Sequence, residues 1–286
     1  MGIVWIASYP KSGSTWLRLA LQALQRPGEP LDINDPEKRP GIASLRRVFD
    51  DALSIESSDL TDLEIVNARP DAYRRVANEA TVPLLLKVHD AWIRTPSGQP
   101  LFPPSATTGV AYLVRDPRDV AVSFAHHFSC PTDTAIERMS DMNFTLSGPE
   151  GFVKLQLPQR VLSWSAHVES WLSAPDTTVL LVRYEDMIVD MAGVLTQVAR
   201  LAGLPAGPVE VRRAVDAVQF SRLRVQEDAS GFDERMPGAY RFFRRGAAGE
   251  WLHELTSAQV EAIESDHGPI MDRLGYSRGH ARDKTR

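Results

Sequence analysis

The chain has 286 residues, of which 43% are hydrophobic and 24% charged, with a formal net charge of −5. That length buries a sizeable core as one large α/β domain or two small ones, and we expect one. No apolar run approaches the roughly eighteen residues that span a bilayer, and the acidic balance argues against a general affinity for nucleic acid, so an anion site has to be local. The opening MGIVWIASYPK lacks the basic, long-apolar, small-residue order of a signal peptide, and Cys130 is the sole cysteine, so no intrachain disulfide forms. A reducing, cytoplasmic setting is the expectation.

In chain order, Ile3 to Ser8 is a short apolar run, and Leu17, Leu21 and Leu24 then recur at helical spacing over Trp16 to Leu24. Similar β-rich apolar runs at Leu84 to Val88, Val110 to Val114 and Val179 to Val182 read as buried parallel strands. Helical patterns cover Asp119 to Phe128, Arg160 to Leu172 and Val194 to Leu204. This alternation predicts an α/β domain with a central parallel sheet flanked by helices, residues 1–277, followed by a polar tail, 278–286. Residues 26–60 and 129–158, the latter with Pro131, Gly148, Pro149, Gly151 and Pro158, break the rhythm. They are either plain surface loops or walls of an acceptor pocket beyond the strand ends.

The first chemical signal is Tyr9-Pro10-Lys11-Ser12-Gly13-Ser14-Thr15-Trp16, where strand turns into helix. Free N–H groups at a helix start favour an anion, Gly13 permits close approach, Ser14 and Thr15 add hydroxyls, and Lys11 supplies countercharge. A capped helix with a surface lysine is the plainer account of the same octapeptide. A Walker A loop places lysine after its last glycine, whereas here lysine precedes the glycine, which weakens a nucleoside-triphosphatase reading.

Four further segments follow in order. Lys87 and His89 lie two apart on a strand and so share a face. Arg115-Asp116-Pro117-Arg118-Asp119 with Ser123 closes a strand and opens a helix; Arg183-Tyr184-Glu185-Asp186-Met187 does the same later, and Phe242-Phe243-Arg244-Arg245-Gly246 leads to Glu250-Trp251. Two basic-plus-hydroxyl segments suit a nucleotide with phosphates at two positions.

Taken together, the five segments resemble those of the sulfotransferase family that uses 3′-phosphoadenosine 5′-phosphosulfate, in its cytosolic type and as a bacterial member; the family forms are YPKSGTTW, K-T-H, Y-E-D-M and R-K-G-x-x-G-D-W. The resemblance runs from Tyr9 to Trp251. It implies a P-loop-like fold, sulfonate transfer to a hydroxyl of a small-molecule acceptor, 3′,5′-bisphosphoadenosine as product, and no metal. It implies His89 as general base, a role suited to imidazole, with Lys87 and Lys11 stabilising charge. Donor contacts carried over in this way are Lys11, Ser12, Gly13, Ser14, Thr15, Trp16, Arg115, Ser123, Tyr184, Phe220, Arg244, Arg245 and Gly246, with Trp16, Tyr184 and Phe220 beside the adenine. Asp90 and Ala91 stand where the family has Leu-Pro, so Asp90 either orients His89 or caps the strand. The stretch aligned with the family's dimerisation segment, Leu252 to Glu261, keeps Thr256 and Glu261 but departs elsewhere, which leaves the oligomeric state open.

His126, His127 and Cys130 make a poor metal set, since adjacent histidines diverge on a helix. Trp164 and Trp171, seven apart, read as core. Trp92, Phe102, Phe124, Phe128 and Phe144 hint at an apolar or aromatic alcohol as acceptor, with core packing as the competing account. A kinase-like phosphotransferase and a non-catalytic nucleotide-binding module are the rival classes; the first needs a metal-binding carboxylate, the second would not keep Lys87 with His89.

Overall fold

The computed structural model describes residues 2–35, 41–146 and 155–279. Strand β1 (Ile3–Ser8) is buried along its whole length and leads through a tight loop into α1 (Ser14–Gln25). After β2 (Gly41–Ile42), α2 (Arg46–Leu53) and α3 (Asp62–Glu79) come β3 (Leu84–Val88), β4 (Thr107–Val114) and α4 (Pro117–Phe128). Next are α5 (Thr132–Ser140), a small antiparallel pair β5 (Thr145–Leu146) and β6 (Gln159–Arg160), α6 (Trp164–Leu172), β7 (Val179–Arg183) and α7 (Tyr184–Leu201). The described chain closes with α8 (Pro208–Ala217), α9 (Phe220–Ser230), α10 (Trp251–Glu254) and α11 (Ser257–Arg273).

The main sheet has the order β2-β3-β1-β4-β7 with every pairing parallel. The chain leaves β1 toward β3 on one side and β4 on the other, so the strand order reverses at β1, where ligands of open α/β sheets bind. Side chains alternate across the pleat: Ile3, Trp5 and Ala7 enter one core layer with Tyr73, Trp164, Trp171 and Ile263, and Val4 and Ile6 enter the other with Leu17, Leu21, Leu195 and Val198. The domain is thus one three-layer α/β unit. Trp164 and Trp171 are fully buried, as their spacing predicts.

Several predicted boundaries shift. The helix expected over Arg160 to Leu172 begins at Trp164, because Gln159–Arg160 pairs as a strand, Leu162 has φ 64°, and Ser163 caps the helix by accepting from the Ala166 N–H. The helix expected from Val194 starts at Tyr184, with non-helical geometry at Asp190 inside it. The 26–60 excursion supplies the edge strand β2 and helix α2, and 129–158 supplies α5 and β5. Gly148, Pro149 and Gly151 lie outside the described residues, as do residues 280–286 of the expected tail. Arg278, its first residue, instead donates to Asp272 on α11.

Neither role foreseen for Asp90 is the one observed. Its carboxylate accepts two guanidinium bonds from Arg69, at 2.9 and 2.6 Å, and the Arg160 N–H at 3.0 Å. Arg69 also donates to Tyr73 Oη at 2.8 Å, and the Asp90 carbonyl accepts Trp171 Nε1–H at 3.0 Å. The residue after His89 thereby ties α3, β6 and α6 to the end of β3. Both charges are buried, so losing one leaves the other uncompensated, a change that costs about 3–5 kcal/mol. We expect Asp90→Asn to lower unfolding stability by that amount in urea denaturation; a loss under about 1 kcal/mol would mean the pair contributes no more than a surface bridge does.

Candidate active site

At the carboxyl edge of the sheet the ends of β1, β3 and β4 and the start of α7 open onto one cavity of about 1100 Å³. The loop after β1 fits only as this sequence makes it. Gly13 has φ 98°, and a Cβ there would lie 2.6 Å from the Tyr184 ring and 2.8 Å from Met187. Lys11 takes φ 72°, a left-handed conformation rare for a residue with a side chain. The loop therefore presents the first turn of α1, whose N–H groups have no partner within the helix, to the cavity.

Of the predicted site residues, Lys11, Gly13, Ser14, Thr15, Trp16, Lys87, His89, Arg115, Ser123, Tyr184, Phe220, Arg244, Arg245 and Gly246 all line this cavity. Ser12 does not; it is fully buried behind the loop. Gly246 has φ 65°, and a Cβ on it would lie 2.4 Å from the Phe220 ring, so the late basic segment and α9 close one end of the cavity in contact. Trp16 donates Nε1–H to the Val218 carbonyl at 3.0 Å and meets the Tyr184 ring edge-on at 6.1 Å. Arg115 lies 4.3 Å from the Tyr184 ring centroid and donates to the Ala247 carbonyl at 3.0 Å. Arg244 pairs with Glu250, and Arg245, half-exposed, reaches Glu254 at 3.3 Å.

His89 has a defined tautomer. Nδ1 lies 2.8 Å from the Ser8 carbonyl oxygen, which can only accept, so Nδ1 carries the proton and Nε2 keeps its lone pair. Burial, reinforced by Lys87, holds its pKa well below the usual 6.5, so the ring is neutral at physiological pH. Its N–H donates to Gln159 at 3.2 Å, and its carbonyl accepts from His167, whose other nitrogen meets Tyr112 Oη at 2.8 Å. Neutral imidazole, two lysines and two hydroxyls thus share one end of the cavity.

Lys11 lies 4.4 Å from the Phe242 ring centroid. Burial first, then Lys87 and Arg115, bring its pKa down to about 7. His127, which sequence reading set aside as a poor metal ligand, lines the cavity, its pKa pushed down to about 3 by burial and then by Lys11 and Lys87.

Of the aromatics offered as acceptor contacts, only Phe128 lines the cavity. Phe102 and Phe124 are buried in the core, and Trp92 and Phe144 pack against it. Both irregular stretches do contribute walls, through Ile42 and Leu45 from one and Leu146, Leu155 and Gln156 from the other. Asp119, named in its segment without a role, accepts the N–H groups of Gly249 and Trp251 at 2.7 and 3.0 Å and seats the late basic segment. Sequence reading missed Glu234 and Arg18, of which Arg18 had a signal, since it lies one helical turn beyond Ser14 and Thr15, and it gave no role to Phe242, which opens the late basic segment.

An anion cradle at a strand-to-helix turn, a second basic segment and a neutral imidazole define a P-loop-like group transferase. A family model for the sulfotransferase domain matches residues 2–275, and the chain belongs to the sulfotransferase family; it is a sulfonate-transferring enzyme. Sulfotransferase 2A6 of Rattus norvegicus is 26% identical over 264 residues, 91% of this chain and 81% of that protein. Among solved structures, mouse sulfotransferase SULT7A1 complexed with PAP has a TM-score of 0.58 at 19% identity, over 94% of this chain and 84% of its own. Retinol dehydratase in a complex with retinol and PAP has 0.58 at 22%, over 99% and 82%. These structural likenesses show the shared fold.

The depressed pKa of Lys11 has a sign that can be tested. Unfolded, the amine keeps its proton up to its ordinary value of 10.5; folded, it releases it near 7. Between those values the unfolded chain binds more protons, so stability rises with pH, by at most about 1.4 kcal/mol per unit for one group. Chemical denaturation from about pH 7 to about pH 9 should show the wild type gaining stability relative to Lys11→Met. Parallel curves would contradict the depressed pKa.

Proposed function

We propose that this sulfotransferase moves the sulfonate of 3′-phosphoadenosine 5′-phosphosulfate to a hydroxyl of a small-molecule acceptor, with His89 as general base. The observation that carries the proposal is the Nδ1–H bond from His89 to the Ser8 carbonyl, which leaves a neutral, unprotonated Nε2 in a cavity shared with Lys11 and Lys87. Nε2 takes the acceptor's proton, the acceptor oxygen bonds to sulfur, and the bond from sulfur to the 5′-phosphate oxygen breaks in line. The electron pair leaves with 3′,5′-bisphosphoadenosine.

Lys11 and Lys87 stabilise the charge that develops on the transferring and leaving oxygens. Their mutual repulsion favours a multiply charged ligand, since an anion between them returns Lys11 to its protonated form. The loop from Ser12 to Thr15, through backbone N–H groups and the two hydroxyls, holds the 5′ end. Arg115, Ser123, Arg244 and Arg245 hold the 3′-phosphate, with Gly246 allowing close backbone approach. Trp16, Tyr184 and Phe220 bound the adenine. Complexes with PAP among proteins of this fold support the donor.

Ile42, Leu45, Phe128, Leu146 and Leu155 give the acceptor side an apolar wall that suits an apolar or aromatic alcohol. Retinol dehydratase, which shares the fold, has structures in complex with androsterone and with retinol. No described helix is long and apolar enough to cross a membrane. With Cys130 a free thiol, we place the enzyme in the cytoplasm.

His89→Ala should lower kcat by about 10²–10⁴-fold while leaving the affinity for 3′,5′-bisphosphoadenosine unchanged, because the base acts only in the chemical step. Normal turnover by that variant would remove the assignment. By isothermal titration the wild type should prefer the bisphosphate to adenosine 5′-phosphate and ATP, and Arg115→Ala should lose that preference. Equal binding of the three nucleotides by the wild type would end the two-phosphate model.

A further inference from the structure

Beyond α9, residues 231–236 cross the mouth of the cradle and carry Glu234 into it. One carboxylate oxygen accepts from Thr15 Oγ1 at 2.9 Å and stands 3.6 Å from Lys87 Nζ; the other accepts from Arg18 at 2.7 Å. Thr15 belongs to the first turn of α1 and Lys87 to the end of β3, the groups assigned above to the donor's 5′ anions. A carboxylate engaged through both oxygens presents much the same face as a sulfonate or phosphate does.

We propose that Glu234 is an internal anion that competes with the donor's phosphosulfate group for this cradle, and that donor binding moves it out. The proposal rests on the donor-site reading and adds to it a residue that sets how tightly any anion is held in the cradle. A carboxylate tethered beside the cradle acts at high effective concentration. A lone sulfate or phosphate must displace it through the cradle contacts alone. A linked nucleotide meets the same cost and offsets it with the contacts at Arg115 and Ser123.

The segment is exposed beyond an anchor at Phe232, with Asn34 bonded to the Gly231 carbonyl and the Asp233 N–H. Phe232 is buried against Phe242 and Phe243, with ring centroids 4.7 and 5.1 Å away. Gly231 and Gly238 bracket the segment at φ 75° and 87°, and Asp233, Arg235, Met236 and Pro237 are exposed. The competing account makes Glu234 a permanent partner of Arg18, whose side chain is 3% exposed. In that case its loss should lower stability and leave anion affinity where it was.

The test is isothermal titration of wild type, Glu234→Gln and Asp233→Asn with two probes, 3′,5′-bisphosphoadenosine and inorganic pyrophosphate, the latter carrying two linked anionic groups and no nucleoside. If the carboxylate occupies the cradle about nine-tenths of the time, its removal tightens apparent binding about tenfold. We expect that gain in E234Q with pyrophosphate and with the nucleotide. Asp233→Asn, the same charge change one residue away, should bind as the wild type does. No gain in E234Q, or an equal gain in D233N, overturns the proposal. A gain with pyrophosphate alone, with no variant binding the nucleotide, removes the nucleotide reading and keeps Glu234 as the competitor. A second measurement covers poor folding of E234Q: amide hydrogen exchange of residues 231–236 in the wild type should speed up when pyrophosphate is added, and unchanged exchange overturns the proposal.

Discussion

The carbonyl oxygen of Ser8, at the end of the fully buried central strand, fixes which nitrogen of His89 bears the proton. The bond forms only if β1 and β3 are adjacent, parallel and in register, and Ala7 does pair with Val88 in that register. A slip of one residue would move Lys87 and His89 to the opposite face together. Register is held from below by the apolar layers on both faces of β1 and from above by Asp90, which Arg69 grips. Tautomer, strand order and the buried ion pair are thus consequences of one packing arrangement.

Charge in the site runs against charge in the whole. The chain carries a net −5, yet Lys11, Lys87, Arg18, Arg115, Arg244 and Arg245 converge on one cavity. Each carboxylate that tempers this cluster has a separate position: Glu234 at the cradle, Asp119 beneath Arg115, Glu250 and Glu254 beside the two late arginines. Asp119 illustrates why such groups cannot simply be removed. It sets the Gly249–Trp251 backbone and lies 3.7 Å from Arg115, so it positions the cations while partly neutralising them. Lys11 has no comparable close partner in this set and carries the depressed pKa.

Much of this was legible in the sequence. Apolar runs of four to six residues mark parallel strands well, and each of the four named in this way is a strand of the main sheet, although β7 lies at its edge and is only partly buried, with Leu181 exposed. The cavity-lining basic and hydroxyl residues were also readable, because strand ends followed by helix starts place them at one sheet edge. What escaped was long-range. Nothing local marks Arg69 as the partner of Asp90 or Glu234 as the partner of Thr15, 219 positions away in the chain. Four of the five aromatic candidates, all but Phe128, failed for a related reason. Phe102 and Trp171 lie 4.8 Å apart in the core, and a large apolar side chain carries no mark that separates a core wall from a pocket wall.

The two ends of the cavity rest on different kinds of structure. The residues proposed to hold the donor sit at the ends of β1, β3 and β4 and on α1, α4 and α7, where sheet packing fixes them, with Phe220 on α9 and Arg244, Arg245 and Gly246 in the loop beyond it. The proposed acceptor walls come in part from β2, a two-residue edge strand, and from the β5–β6 pair, two residues on each side. Short edge elements contribute few ladder bonds and few core contacts, so substitutions in them disturb the domain little. His127 and Phe128 are the exception, since they line the cavity from the end of α4, the same helix that carries Ser123. Under the proposed assignments, Phe128 is therefore the acceptor-wall residue that shares a rigid element with a 3′-phosphate contact, whereas Ile42 and Leu146 stand on short edge strands that carry no donor contact.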